Sequence, residues 1–176
     1  CFRKQFQLAP RAVRKANGEA GGGIQLFLAS RPPYHWTLLQ RFLAARLIPG
    51  LAWCDEQSYG RSFQIGNARG QFTAQFDAGR CGFTINLELD DLHYLSQVVQ
   101  NIRRVLDLDA DIALIETTIA ALFGVQQLPH SGLRLPGIWD PFEAGVRAIL
   151  GQQVSVAAAR NLVQQVVDAF HVGDVD

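Results

Sequence analysis

Between Tyr59 and Leu89 the chain alternates with a period of two, and few folds accommodate such a pattern. Tyr59, Arg61, Phe63 and Ile65 fall on one face of an extended segment. Phe72, Ala74 and Phe76 do the same, as do Phe83, Ile85, Leu87 and Leu89. Side chains two residues apart in a strand share a face, so each segment predicts a strand with one buried side. Gly66-Asn67-Ala68-Arg69-Gly70 and Asp77-Ala78-Gly79-Arg80 separate the segments and are good turn sequences. Adding Ile24 to Ala29 and Leu51 to Cys54 gives about five strands in an antiparallel sheet. Asp90 or Asp91 caps a helix whose Leu92, Leu95, Val99, Ile102 and Leu106 lie on one side. That side can cover one sheet face, and the expected class is α+β over residues 24–108.

The remaining segments read as helices. Arg31-Pro32-Pro33 breaks the first strand, and a helix follows from about Tyr34 to Leu47, ended by Pro49-Gly50. Leu38, Phe42 and Ala45, with Leu39, Leu43 and Leu47, give it a broad apolar face. Another helix runs from about Asp111 to Leu122, and Leu128-Pro129-His130 begins a loop. Asp140 then suits an N-cap, Pro141 the first helical position, and Glu143 completes a capping box. Phe142, Val146, Ile149 and Leu150 share a face of this helix, which Gly151 stops. Ser155 caps a last helix with Ala159, Val163, Val166, Val167 and Phe170 on its apolar side. Gln152 and Gln153 are left at the corner between the two. Residues 109–176 are therefore expected to be helical.

The sixteen basic residues equal the sixteen acidic ones, so net charge points to no particular partner. Distribution is more informative. Arg3, Lys4, Arg11, Arg14 and Lys15 occur in residues 1–16 without any acid, and residues 17–23 read as a glycine-rich linker. Cys1, Cys54 and Cys81 lack the spacing of a disulfide framework or zinc site and are expected to be buried free thiols. His35, His93, His130 and His171 are scattered, and no metal site or cofactor is predicted. No apolar run approaches the ~20 residues of a membrane span, and no signal peptide is seen. A cytoplasmic protein without a membrane partner is expected.

Several strings carry a resemblance. Leu135-Pro136-Gly137-Ile138-Trp139-Asp140-Pro141-Phe142-Glu143, continuing through Val146-Arg147-Ala148-Ile149-Leu150-Gly151-Gln152-Gln153-Val154-Ser155, resembles the AlkA-type glycosylases, DNA-3-methyladenine glycosylase II. Arg31-Pro32-Pro33-Tyr34-His35-Trp36, Arg41-Phe42-Leu43-Ala44-Ala45-Arg46 and Tyr59-Gly60-Arg61-Ser62 are similar to the N-terminal domain of the same family. Phe2-Arg3, Phe6 and Pro10 are spaced as at the close of an AraC-type helix-turn-helix domain. Residues 1–16 are then either that tail, as in an Ada–AlkA fusion, or a basic disordered arm.

The resemblance implies a sheet similar to half of the TATA-binding protein fold, followed by the first helices of an all-α helix-hairpin-helix glycosylase domain. It implies a monomeric hydrolase, without metal or organic cofactor, that flips and excises alkylated bases of the 3-methyladenine type from double-stranded DNA. The family's catalytic aspartate and its helix-hairpin-helix are expected beyond Asp176, so no catalytic residue is assigned here, and residues 1–176 alone are expected to be inactive. Phe42 matches an aromatic bordering the base pocket, with core packing as the alternative. Gln152 and Gln153 match the turn that enters the minor groove, where some members place a leucine at the position of Gln153. Arg46 and Arg147 either reach phosphates or form structural salt bridges. The alternative function is a transcriptional regulator of the alkylation response that keeps this region as a sensing or interaction module.

Overall fold

The structure, a computed structural model, describes residues 23–126 and 128–170. The readings for residues 1–16, for nearly all of the linker and for His171 lie outside the described residues.

Five strands form one antiparallel sheet. They are β1 (Ile24–Ala29), β2 (Ala52–Cys54), β3 (Ser58–Ile65), β4 (Ala68–Asp77) and β5 (Gly82–Leu89), in the order β1-β5-β4-β3-β2. Consecutive strands β2 to β5 are neighbours joined by tight turns. Between β3 and β4 the turn is only Gly66 and Asn67, because Ile65 already pairs with Ala68. Gly66 takes a φ of 59°, which glycine adopts without a side-chain clash. The wider turn expected through Gly70 is therefore shorter, and Ala68, Arg69 and Gly70 belong to β4. In the next turn the Asp77 carboxylate accepts from the Arg80 backbone N–H at 3.0 Å.

The sheet is one-sided. Leu28 and Phe83 pair across β1 and β5, Phe72 pairs with Leu87, and Ala74 pairs with Ile85; all are buried. The opposite face carries polar pairs, such as Gln25 donating to Asn86 at 3.1 Å and Gln71 to Glu88 at 2.7 Å. The buried face is covered by α1 (Trp36–Ala44) and α2 (Leu95–Val105). Trp36, Leu39 and Leu43 of α1 and Leu95, Val98, Val99, Ile102 and Val105 of α2 reach the core. A 3-10 turn at Leu92–Tyr94, capped by the Asp91 side chain, leads into α2.

Helix α1 is shorter than its apolar pattern suggests. Tyr34 is withheld from it because its hydroxyl donates to the Leu106 carbonyl at 2.6 Å and its ring packs on Phe76 and Phe83. At the other end the N–H groups of Arg46 and Leu47 bond three residues back, which tightens and ends the helix. Phe42 and Ala45 are exposed rather than in the broad apolar face. Cys81 is also exposed, since it sits in the β4–β5 turn with a φ of 51°. Cys54 is half-buried, and burial pushes its thiol pKa up.

Three further helices follow: α3 (Ile112–Phe123), α4 (Pro141–Leu150) and α5 (Val156–Phe170). Asp111 caps α3 by accepting from the Leu114 N–H at 3.2 Å, and Gly124 ends it in the left-handed conformation at φ 64°. The apolar stripes of α4 and α5 are not core. Phe142, Ile149 and Phe170 are largely exposed, and Val163 is the one buried residue of the two helices. Periodicity identified the stripes, but apart from Val163 the described elements leave them unburied.

Candidate DNA-facing site

The site begins with Trp139, the last apolar residue before α4. Its ring packs against Phe63 at 5.0 Å and Phe72 at 5.5 Å between centroids, extending the sheet core outward. Arg104 on α2 donates to the carbonyls of Ile138 and Trp139 at 3.0 and 3.1 Å and holds this strand of chain down. Asp140 then caps α4, accepting from the Glu143 N–H at 3.0 Å.

The other half of the expected capping box is absent, because the Glu143 carboxylate turns to the sheet instead. Its Oε2 accepts from Arg61 Nη2 at 2.7 Å, and its Oε1 accepts from Arg147 Nε at 2.8 Å. Arg61 is buried on the inner face of β3, with its guanidinium 5.0 Å from the centre of the Trp139 ring. Arg147 reaches further, donating through Nη1 to the Arg46 carbonyl at 3.2 Å. The Arg46 guanidinium lies over the Phe42 ring at 3.7 Å. Beta strand β3 and helices α1 and α4 thus meet at one ionic knot. Three arginines and the carboxylates of Asp140 and Glu143 leave it net positive on a chain without net charge.

Phe42, Arg46, Tyr59, Trp139, Glu143 and Arg147 line a cavity of about 220 Å³ there. Beside it, a larger and mostly apolar groove of about 750 Å³ runs between β3 and the faces of α4 and α5. Burial pushes the Tyr59 hydroxyl pKa up.

Burial also acts to raise the pKa of Glu143, but Arg61 and Arg147 outweigh it and hold the carboxyl below the usual glutamate range. A depressed folded-state pKa stabilises the fold above the unfolded value and is lost as pH falls through the folded one. Wild type should therefore be more stable than Glu143→Gln at neutral pH, and the gap should close as pH drops below about 4.3, the ordinary glutamate value. Chemical denaturation of both proteins across the acid range checks this, and a gap independent of pH would contradict it.

The glutamines lie at the far end of α4. Gly151 is the C-cap, and its N–H bonds back to the Arg147 carbonyl at 2.9 Å. Gln152 and Gln153 are exposed, and Ser155 Oγ accepts from the Ala158 N–H at 3.2 Å to start α5. Gln153 has a φ of 60°, a left-handed conformation that costs a non-glycine residue about 1–2 kcal/mol.

The structure therefore gathers Phe42, Arg46 and Arg147 into one cluster and puts Gln152 and Gln153 at a separate, exposed corner. The pairing of Arg61 with Glu143 was not anticipated. Its one signal was a charged residue at an inward position of a period-two strand. Among the described residues no group of histidine, cysteine and carboxylate side chains could hold a metal ion.

This fold has a solved counterpart. It aligns with the 3-methyladenine DNA-glycosylase from Archaeoglobus fulgidus at a TM-score of 0.61, over 82% of this chain and 50% of that one, with 17% identity. At that identity the likeness is one of fold. Residues 25–140 match the AlkA N-terminal domain, and the chain belongs to that family. It is 36% identical over 140 residues to DNA-3-methyladenine glycosylase 2 of Escherichia coli, covering 80% of this chain and 48% of that protein. It is 32% identical over 167 residues to a Mycobacterium tuberculosis protein named "Probable bifunctional transcriptional activator/DNA repair enzyme AlkA", covering 92% of this chain and 33% of the relative. The chain thus spans about half, or less, of the curated relatives it matches.

Proposed function

We propose that this chain is the N-terminal part of a DNA glycosylase that excises alkylated bases of the 3-methyladenine type, acting as a monomer on double-stranded DNA. Family membership supplies the class. The observation that carries the reading is Gln153, held exposed and left-handed at the corner of two helices. Strained, exposed side chains at corners suit contacts with a partner rather than packing.

In this reading the corner enters the minor groove and occupies the space that a flipped base leaves. Phe42, 41% exposed at the edge of the cavity, is available to stack on the displaced base. Arg46 and Arg147 supply positive charge near the phosphates. The carboxylate that stabilises the cationic sugar is contributed from outside residues 1–176, and those residues alone should not release bases. Residues 24–108 and 109–176 are the two structural units in this proposal. Among the described residues no helix is long and apolar enough to cross a membrane.

The regulatory reading is supported by one observation, the activator half of the name carried by the mycobacterial relative. Binding separates the two. In the complete protein, Gln153→Ala should weaken affinity for a duplex with an abasic lesion analogue by about tenfold, or 1.4 kcal/mol. Gln153→Leu should match or exceed wild type, since apolar wedges also fill an unstacked step. Equal affinities for all three proteins would remove the wedge.

A further inference from the structure

The geometry points to Glu143 as a positioning residue for Gln153, a role that rests on the wedge reading above. Helix α4 has no buried side chain of its own. Its N-terminal end is pinned by Trp139 and by Arg104. A pin at one end leaves the helix free to swing about that point, so its direction must be set further along. Glu143 sets it, within the first turn, by its bond to Arg61 on β3 at 2.7 Å. Arg147, one turn on, adds the bond to Glu143 at 2.8 Å and reaches the Arg46 carbonyl on the far side at 3.2 Å. Arg61 is itself fixed by burial in the sheet and by packing over Trp139.

The lever arm is short but sufficient. From Glu143 to Leu150 the helix rises about 10 Å, so a tilt of about 10° at Glu143 moves its end by about 2 Å. Misplacements of that order cost tenfold to a hundredfold where geometry matters. The same knot carries Phe42, because Arg147 holds the carbonyl of Arg46, whose guanidinium covers that ring. One carboxylate therefore sets the wedge corner and the pocket aromatic against a common strand.

A double-mutant cycle tests this in the complete protein, read as kcat/KM for base release from methylated duplex DNA. Fluorescence of 2-aminopurine beside an abasic analogue gives a second readout of turn insertion. Glu143→Gln and Gln153→Ala should each lower kcat/KM by about tenfold, and the double variant should lose about tenfold rather than a hundredfold, because residues acting through one another are not additive. Glu143→Gln should also suppress the fluorescence change. If the losses multiply, or if Glu143→Gln matches wild type while Gln153→Ala is impaired, the positioning role is overturned and the wedge stands. If Gln153→Ala matches wild type, the wedge falls, and the positioning role falls with it. Should Glu143→Gln not fold, Arg147→Lys takes its place in the same cycle, since it keeps the charge and loses the forked reach to the Arg46 carbonyl.

Discussion

Replacing Phe72 with alanine should lower the free energy of unfolding by about 3–5 kcal/mol, the range for deleting a buried aromatic. Phe72 is 1% exposed at the centre of the sheet. Its ring lies 6.1 Å from that of Tyr59, 6.4 Å from Phe63 and 5.5 Å from Trp139. Those neighbours are rings on strands and on a tethered loop, so they cannot close over the space. Domains of ordinary stability hold about 5–15 kcal/mol in total, and the variant would sit near the edge of folding. The cavity would also remove the surface against which Trp139 stacks, so α4 should loosen before β5 does. Urea denaturation gives the first quantity, and hydrogen exchange of α4 against β5 gives the second. A loss under about 1 kcal/mol would show that Phe72 is not central to the core.

Arg134→Met should cost about 3 kcal/mol although it preserves much of the side-chain volume. Arg134 is 3% exposed and is held by backbone carbonyls rather than by a carboxylate. Its Nη1 donates to Asp107 at 2.8 Å and to Ala110 at 3.3 Å, while its Nη2 donates to Arg31 and Pro33. The guanidinium also lies over the Tyr34 ring at 4.4 Å. One side chain thus joins the segment after β1, the end of α2 and the loop leading to α4. Methionine would leave several of those carbonyls without a donor, and a buried unsatisfied polar group costs more than a made bond contributes. Thermal unfolding of wild type, Arg134→Lys and Arg134→Met should rank them in that order. An Arg134→Met protein as stable as wild type would show that water replaces the guanidinium.

These two residues also mark what a sequence reveals. Phe72, Phe83 and Ile85 announced their burial because every second residue around them is apolar, and that pattern depends only on neighbours in the chain. The antiparallel strands and the one-sidedness of the sheet followed from it; the order β1-β5-β4-β3-β2 did not. Arg134 was invisible as a clamp, because its acceptors are backbone carbonyls as far as 103 residues away, and every residue carries a carbonyl. Tyr34 was read into α1 because it directly follows the Arg31-Pro32-Pro33 break, but its hydroxyl is taken up by the Leu106 carbonyl instead. At the site, the Gln152–Gln153 corner was legible from Asp140, Gly151 and Ser155, which are local stop and start signals. The contact of Glu143 with Arg61 was not, since a capping box and a long-range ion pair use the same glutamate at the same position. The stripes on α4 and α5 were legible as apolar faces, but their exposure was not, because periodicity marks a face without saying what lies against it.

In the proposed function this chain supplies the wedge corner and one wall of the base pocket to a glycosylase whose catalytic carboxylate lies elsewhere. The most direct measurement is release of 3-methyladenine from methylated duplex DNA by the complete protein and by residues 1–176 alone. The predicted result is release by the complete protein and none by residues 1–176. Release by residues 1–176 alone would place the catalytic group inside this chain, and no release by the complete protein would contradict the glycosylase assignment itself.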